Sequence, residues 1–200
     1  MMNLGVLISG RGSNFEAIAR AVAAGKIPAN ISLMVSNRPE AAGLDRAAKM
    51  GLNAQCIASS SRTRDQFEGD LLAALNAARV DHVCLAGFMR ILSPQFVRAF
   101  RGYILNIHPS LLPSFSGLAA QKQALEYGVK LTGCTVHLLD EGVDTGPVIL
   151  QAAVPVLEED TVETLSARIL EQEHRIYPEA VRLLAEDRIR VHGRHVFLSL

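Results

Sequence analysis

Residues 103–113 read YILNIHPSLLP, and this stretch decides how the rest of the chain is interpreted. Its first three residues have the apolar, branched and aromatic character of a short buried strand. Asn106 and His108 follow two positions apart, so their side chains leave an extended chain on the same face. Pro109 and Pro113 then end the strand and stiffen the loop. The stretch predicts an amide beside an imidazole at the carboxyl end of a strand, where open α/β sheets bind ligands.

Asn106 and His108 also have a purely structural interpretation. A histidine at the end of a strand is more often held in a local hydrogen bond than used in catalysis. An asparagine beside a turn usually binds the neighbouring backbone. The rest of the sequence must therefore decide between the two interpretations.

Composition excludes several classes of protein. In 200 residues, 49% are hydrophobic, which is enough for one substantial core. Twenty basic residues balance twenty acidic ones without a basic stripe, so we expect no nucleic-acid partner. We expect neither a signal peptide nor a membrane span, because no run approaches the roughly 18 apolar residues needed. Cys56, Cys84 and Cys134 lack disulfide or metal spacing and are predicted to be buried thiols, so we expect a soluble cytoplasmic protein.

Strand and helix patterns alternate along the first half of the chain. Apolar runs predict strands at residues 4–8, 31–35, 56–58 and 83–86, and each is followed by a helical pattern. We expect the second helix to begin at about Pro39, the third to follow a polar loop at residues 59–64, and a short fourth helix to be capped by Ser93. This alternation predicts a parallel, doubly wound, Rossmann-like sheet.

The glycine-rich segment SGRGSN, residues 9–14, joins the first strand to the first helix. Such a loop presents backbone N–H groups and the positive end of a helix dipole to an anion. It is neither a Walker loop nor a full GxGxxG motif. Ser13 and Glu16 also have the spacing of a capping box, which needs no ligand. Both interpretations remain open at this point.

The second half of the chain has a different pattern. LTGCTVHL at 131–138 and VILQAAVPV at 148–156 flank an acidic, glycine-rich loop, and they predict an antiparallel strand pair. A loop of this length often carries function. We expect Asp160 and Glu163 to cap the last long helix, Pro178 to kink or restart it, and a terminal hairpin to follow. No repeat or linker is visible, so residues 1–200 are predicted to form a single α/β domain.

Four motifs together carry a family resemblance: SGRGSN at 9–14, GFMRIL at 87–92, NIHPSLLP at 106–113 and DEGVDTGP at 140–147. With them, the chain closely resembles the phosphoribosylglycinamide formyltransferase family, the folate-dependent enzymes of purine (IMP) synthesis. The likeness runs in order from residue 3 to about residue 185. The NIHPSLLP motif with a downstream Asp is specific to 10-formyltetrahydrofolate transferases in general. The SGRGSN loop narrows the resemblance to the glycinamide ribonucleotide branch.

The resemblance implies a role for each matching residue. The implied catalytic set is Asn106, His108 and Asp144. The implied ribonucleotide ligands are Gly12, Ser13 and Asn14 at the phosphate and Glu173 at the glycinamide end. The implied folate-binding residues are Arg64, Met89, Arg90, Ile91, Leu92, Asn106, Asp140, Glu141, Gly142, Val143 and Asp144. The implied co-substrate is 10-formyltetrahydrofolate, the partners are small molecules, and a monomer and a homodimer are both left open.

Two positions depart from the family pattern. Ser116 stands where many relatives have Pro, and Ala119 where they usually have a polar residue. Because Ala119 has no polar side chain, it cannot make the polar contact that a polar residue at this position would make near the site. This absence does not change the expected reaction.

The chemistry of formyl transfer explains these residue types. An amine attacks an amide-like carbonyl through a tetrahedral oxyanion, and the Asn106 amide can donate to that oxygen. A protonated His108 can also stabilise the oxyanion and pass a proton to the departing folate nitrogen. Asp144 favours that protonated form if it reaches the ring. We expect no metal, because His108, His137 and Asp144 lack a zinc-like spacing.

Three competing functions remain. Methionyl-tRNA formyltransferase and formyltetrahydrofolate deformylase share the Asn-His-Asp set, but each carries a further domain for which we expect no room in 200 residues. A non-catalytic module that binds a phosphosugar or a folate is the alternative from a different class. The intact trio argues against such a module, because binding alone would not need it.

Overall fold

The structure, a computed structural model, describes residues 1–60 and 62–199. Ser61, in the loop predicted to be polar, and Leu200 lie outside the described residues. The strands are β1 (Met2–Ile8), β2 (Ala29–Ser36), β3 (Ala54–Cys56), β4 (His82–Leu85), β5 (Ile104–His108), β6 (Leu131–Leu138), β7 (Val148–Pro155), β8 (Ile189–His192) and β9 (His195–Leu198). The helices are α1 (Ser13–Ala23), α2 (Ala42–Lys49), α3 (Arg64–Ala77), α4 (Pro94–Ala99), α5 (Ala120–Tyr127) and α6 (Val162–Ala185).

The sheet confirms the predicted fold class. Seven strands form it in the order β3-β2-β1-β4-β5-β6-β7, and β8 pairs with β9 in a separate hairpin. The pairs β1–β2, β1–β4 and β2–β3 are parallel, whereas β6–β7 and β8–β9 are antiparallel. Within the described residues, no helix is both long and apolar enough to cross a membrane.

The chain divides into two compact units, Met1–Leu105 and the part that begins at Asn106. In the first unit, β1 is buried along most of its length, which is typical of a strand in a parallel sheet covered on both faces. In the second unit, α6 packs against the β6–β7 pair through one apolar face. The prediction of a single domain stays a prediction.

Several element boundaries differ from those predicted. Strand β5 continues to His108 instead of ending at Leu105, so both candidate side chains belong to the strand itself. Helix α2 begins at Ala42, because Pro39 lies in the turn that precedes it. Strand β3 pairs with β2 at Ala54–Cys56, two residues earlier than expected.

The predicted capping box of α1 is wrong. Gly12 occupies the N-cap position with a φ of 72°, which a residue without a Cβ adopts easily, and Ser13 is the first helical residue. Glu16 instead pairs with Arg20 at 2.6 Å and with Arg46 of α2. The Ser13 hydroxyl is therefore not committed to the cap that the sequence pattern suggested.

The predicted cap of α6 is also wrong. Thr161 is the N-cap, and it forms a capping box with Thr164 in place of the predicted Asp160 and Glu163. Asp160 instead accepts two hydrogen bonds from Arg168, each of 2.8 Å. Pro178 does not restart the helix, which runs unbroken from Val162 to Ala185 because its buried face continues on both sides of the proline. The alternative, a kink at Pro178, stays a prediction.

The cysteines are all free, as the sequence predicts, but only Cys84 and Cys134 are buried. Cys56 is exposed, because it ends the short strand β3 at the margin of the sheet.

Candidate active site

The structure brings the three predicted catalytic residues together within the second unit. Asn106 and His108 lie on β5, and Asp144 lies in the loop between β6 and β7. The His108 Nδ1 atom is 3.3 Å from Asp144 Oδ2, and the Asn106 Nδ2 atom is 3.5 Å from Asp144 Oδ1. The Asp144 carboxylate therefore faces both side chains that leave the end of β5.

The segment that follows β5 supplies main-chain partners for this cluster. The Phe115 carbonyl lies 2.8 Å from His108 Nε2, and the Gly117 N–H donates to Asp144 Oδ2 over 2.8 Å. Phe115 and Ala119 both have positive φ angles, of 53° and 55°. A left-handed conformation costs a residue with a Cβ roughly 1–2 kcal/mol, so the surrounding contacts must hold this segment in place.

Both nitrogens of His108 face hydrogen-bond acceptors. Nδ1 faces the Asp144 carboxylate and Nε2 faces the Phe115 carbonyl. A neutral ring has one N–H, so it can donate to only one of these two oxygens and leaves a lone pair against the other. Only the doubly protonated ring can donate to both, which is the form that the predicted mechanism requires.

The pKa of the Asp144 carboxyl lies below its ordinary value. Burial raises the pKa, whereas the Gly117 N–H and the positive charge of a protonated His108 lower it. The carboxylate is therefore ionised at neutral pH and can act as an acceptor for its neighbours. Asp144 itself has a φ of 54°, a conformation that Asp tolerates better than most residues.

His137 on β6 is a member of the cluster that the sequence analysis considered only as a metal ligand. Its Nε2 atom is 3.1 Å from Asn106 Nδ2 and 3.7 Å from Asp144 Oδ1. The alternation of residues along a strand could have indicated its inward orientation. Among the described residues, no three histidine, cysteine or acidic side chains are placed to hold a metal ion, and the expected independence from metals stays a prediction.

A buried threonine fixes the loop that follows β5. The Thr135 hydroxyl on β6 donates to the Ser110 carbonyl over 2.7 Å and accepts from the Leu112 N–H over 3.0 Å. The Gln151 amide on β7 adds bonds of 3.0 Å to the Thr135 hydroxyl and to the Leu112 carbonyl. The β6–β7 pair thereby holds the NIHPSLLP segment, a role that the sequence analysis missed.

The loop between β6 and β7 is organised by Asp140, for which the family resemblance implies a folate contact. Asp140 Oδ1 accepts from the Gly142 N–H over 3.0 Å and from the Thr145 hydroxyl over 2.7 Å. A Cβ on Gly142 would lie 2.1 Å from Thr145 Oγ1. Glu141 and Val143 are exposed at the tip of this loop. Asp140 therefore shapes the loop, and its contact with folate stays a prediction.

The first unit contains the predicted phosphate loop. Gly12, Ser13 and the buried Asn14 form the start of α1. The loop packs directly on α2, where the Gly43 N–H donates to the Gly10 carbonyl over 3.1 Å. A Cβ on Gly12 would lie 3.1 Å from Gly43 Cα, so this part of the loop is closely packed, whereas a Cβ on Gly10 would meet nothing within 4 Å.

The Ser9 hydroxyl holds the segment that the resemblance assigns to folate. It accepts from the Met89 N–H over 2.7 Å and donates to Asn37 Oδ1 over 2.6 Å. The Ser9 N–H also donates to the Gly87 carbonyl over 3.1 Å. The end of β1 is thereby tied to the loop that follows β4, an arrangement that no local sequence pattern indicates.

The remaining predicted residues have distinct surroundings. Met89 and Ile91 are 63% and 61% exposed, which is unusual for large apolar side chains and leaves them available to a ligand. The Arg90 guanidinium lies over the Phe67 ring at 5.0 Å, and Leu92 is buried. Arg64 is the exposed first residue of α3, and Glu173 is buried on α6. Their shared role in one site stays a prediction.

We predict that Asp144 makes the stability of the fold depend on pH in the acid range. Because its folded-state pKa is lowered, its ionisation stabilises the fold above the unfolded-state pKa, and this contribution is lost as the pH falls through the folded-state value. The free energy of unfolding of the wild type should therefore approach that of Asp144→Asn as the pH falls below about 4, the ordinary pKa of an aspartate. Urea unfolding of both proteins across this pH range measures the difference. A difference that stays constant or grows on acidification would contradict the assignment.

Comparisons with known proteins place the chain in a family. Residues 2–181 match the formyl transferase family. The phosphoribosylglycinamide formyltransferase of Escherichia coli is 43% identical over 199 residues, which cover 99% of this chain and 94% of that protein. The trifunctional purine biosynthetic protein adenosine-3 of Drosophila pseudoobscura pseudoobscura is 51% identical over 92% of this chain, which spans only 14% of its length.

A solved structure supports the same assignment. The crystal structure of glycinamide ribonucleotide transformylase 1 from Symbiobacterium toebii superposes with a TM-score of 0.96 at 53% identity, covering 99% of this chain and 94% of that one. These matches confirm the family resemblance that the four sequence motifs predicted. The chain belongs to the formyl transferase family.

Proposed function

We propose that this protein transfers the formyl group of 10-formyltetrahydrofolate to the amine of 5′-phosphoribosylglycinamide, a step of purine synthesis. The observation that carries the proposal is that Asn106 and His108, at the end of β5, both lie within hydrogen-bonding reach of the Asp144 carboxylate. The names of the relatives that it matches over nearly their whole length support the choice of acceptor.

In the proposed mechanism the chain's own side chains stabilise the charge that develops on the formyl oxygen. The attacking amine converts the formyl carbonyl to a tetrahedral oxyanion, and an Asn106 N–H donates to that oxygen. His108, protonated on both nitrogens, places positive charge beside the oxyanion. It protonates the leaving folate nitrogen from Nε2, exchanging the Phe115 carbonyl for that nitrogen, and then takes up the proton that the attacking amine loses as the C–N bond to folate breaks. Asp144 stays ionised and supports the charged ring over 3.3 Å.

The substrate contacts follow the family resemblance and are part of the proposal. We assign the ribonucleotide phosphate to Gly12, Ser13 and Asn14, where a helix of 11 residues begins with a glycine cap. We assign the glycinamide end to Glu173. The folate is assigned to the Arg64 side chain, the segment 89–92, Asn106 and the loop 140–144. The exposure of Met89 and Ile91 supports an apolar wall for a pterin ring.

A formyl-transfer assay with separate acceptors tests the function. The purified protein is mixed with 10-formyltetrahydrofolate and one acceptor: 5′-phosphoribosylglycinamide, methionyl-tRNA or water alone. We expect turnover with the ribonucleotide only. Release of formate without an acceptor would indicate a deformylase, formylated methionyl-tRNA would indicate the tRNA branch, and binding of folate without any turnover would indicate a non-catalytic module.

Removal of the Asn106 amide should slow the chemical step. Asn106→Ala deletes one proposed oxyanion donor, so kcat should fall by roughly 10²–10³-fold. Asn30→Ala is a matched control, because Asn30 on β2 is exposed and donates to the Ser32 hydroxyl. Steady-state kinetics of both variants give the comparison. Equal activity of Asn106→Ala and the wild type would exclude Asn106 from the reaction.

A charge placed in the phosphate loop should discriminate between the two substrates. Gly10→Asp and Gly10→Asn add side chains of nearly the same shape where a Cβ meets nothing within 4 Å, so the pair differs mainly in charge. Gly10→Asp should weaken ribonucleotide binding at least about tenfold more than Gly10→Asn does, and the difference should shrink in high salt. Calorimetry with each substrate measures this. If both variants bind the ribonucleotide equally, the loop does not hold the phosphate.

The loop 139–147 should lose folate affinity when Gly142 gains a side chain. The reason is a collision with Thr145 Oγ1, since Gly142 does not have a left-handed φ. Gly142→Ala should break the Thr145–Asp140 bond and weaken a folate analogue about fivefold, the equivalent of one hydrogen bond of about 1 kcal/mol. Thr145→Val removes the same bond without a new Cβ at residue 142 and should give a similar loss. Unchanged hydrogen-exchange protection of amides 139–147 on adding the analogue would refute the assignment.

A further inference from the structure

The orientation of the Asn106 amide decides which of its atoms faces the proposed oxyanion. A rotation of 180° exchanges the NH₂ group, which donates, and the carbonyl oxygen, which only accepts. The cluster therefore needs a feature that selects one of the two orientations. The neighbours of Asn106 Nδ2 are His137 Nε2 at 3.1 Å and Asp144 Oδ1 at 3.5 Å.

The His137 ring has its own orientation fixed by the main chain. The side chain is fully buried, and its Nδ1 atom lies 2.9 Å from the Leu138 carbonyl oxygen. A carbonyl oxygen can only accept, so the hydrogen of a neutral ring sits on Nδ1. The other nitrogen, Nε2, then has a lone pair and accepts the Asn106 N–H.

The opposite orientation of the Asn106 amide is unfavourable for two reasons. It would place the amide oxygen against the lone pair of His137 Nε2 and also against the Asp144 carboxylate, which is ionised at neutral pH. Two acceptors on one side therefore select the orientation in which the NH₂ group faces them.

The two contacts of the NH₂ group differ in strength. The bond to His137 Nε2 has an ordinary length of 3.1 Å, whereas the 3.5 Å separation from Asp144 Oδ1 is at the outer limit of a hydrogen bond. His137 thus holds one N–H firmly and leaves the second N–H weakly engaged. The second N–H is therefore available to a new acceptor that lies along its direction.

We infer that His137 is a positioning residue for Asn106. The inference rests on the proposed formyl transfer. Its neutral ring, locked with the hydrogen on Nδ1 by the Leu138 carbonyl, accepts one Asn106 N–H and aims the other at the formyl oxygen. His137 does not touch substrate in this scheme, so it should influence the rate of the chemical step and leave substrate binding unchanged.

Two variants of similar size separate loss of the acceptor from loss of packing. His137→Leu removes the acceptor, and misaligned Asn106 should lower kcat by up to about 100-fold with both KM values within about twofold. His137→Gln offers an amide oxygen near the position of Nε2 and should retain at least about tenfold more kcat than His137→Leu. His82→Leu is the control, since His82 on β4 also makes one ring-to-backbone bond, of 2.8 Å to the Tyr103 N–H, and should keep full activity.

A double-mutant cycle tests whether His137 acts through Asn106. Once Asn106 is alanine there is no amide to position, so adding His137→Leu to Asn106→Ala should lower kcat by less than about threefold. If adding His137→Leu to Asn106→Ala lowered kcat by as much as His137→Leu lowers it in the wild type, the inference would be refuted. A His137→Leu variant with wild-type kcat would also refute it. An inactive wild type would instead remove the proposed function, which makes the two failures distinguishable.

Nitrogen NMR of the wild type gives a test that does not depend on any variant folding. At about pH 8, above the ordinary titration range of histidine, the His137 ring should show a protonated Nδ1 and an unprotonated Nε2. A ring with its hydrogen on Nε2 could not accept from Asn106, and that result would overturn the inference.

Discussion

The Asp144 carboxylate is the group on which the rest of the candidate site depends. One oxygen takes the Gly117 N–H and faces His108, and the other faces Asn106 and His137. Four groups from three separate segments of the second unit therefore converge on one charge. Because the neighbours of this carboxylate lower its pKa despite burial, the charge is present at neutral pH and can order the dipoles around it.

The loops that carry the candidate residues are held by hydrogen bonds from polar side chains. Thr135 ties the segment after β5 to the β6–β7 pair, and Asp140 closes the loop that carries Asp144. In the first unit, Ser9 ties the loop after β4 to the end of β1. Each of these polar side chains binds main-chain atoms, so the positions of the candidate residues follow from backbone geometry. Such preorganisation is what an oxyanion site requires.

The sequence predicts those features that depend on local patterns. The alternation of strands and helices gave the sheet, and the spacing of Asn106 and His108 gave their common face on β5. The contact between Asp144 and the strand came from family resemblance, since 36 residues of chain separate it from His108 and no local rule bridges that distance. The roles of His137 on β6 and of Ser9 in the glycine-rich loop were missed because the sequence does not indicate the hydrogen-bond partners of either residue. The predicted N-caps of α1 and α6 failed for the same reason, because a neighbouring residue occupies the N-cap position. This residue is Gly12 in α1 and Thr161 in α6.

The segment 114–119 contacts His108 and Asp144 through two main-chain groups. The Phe115 carbonyl faces His108, and the Gly117 N–H donates to Asp144. A substitution changes neither atom as long as the backbone keeps its path. The segment can therefore drift in side-chain chemistry while the groups it presents to His108 and Asp144 stay the same. Ser116 and Ala119, where the sequence analysis expects departures from the family pattern, contribute no side-chain atom to these two bonds. The left-handed backbone at Phe115, Gly117 and Ala119 is therefore what carries these two main-chain groups to the imidazole and the carboxylate.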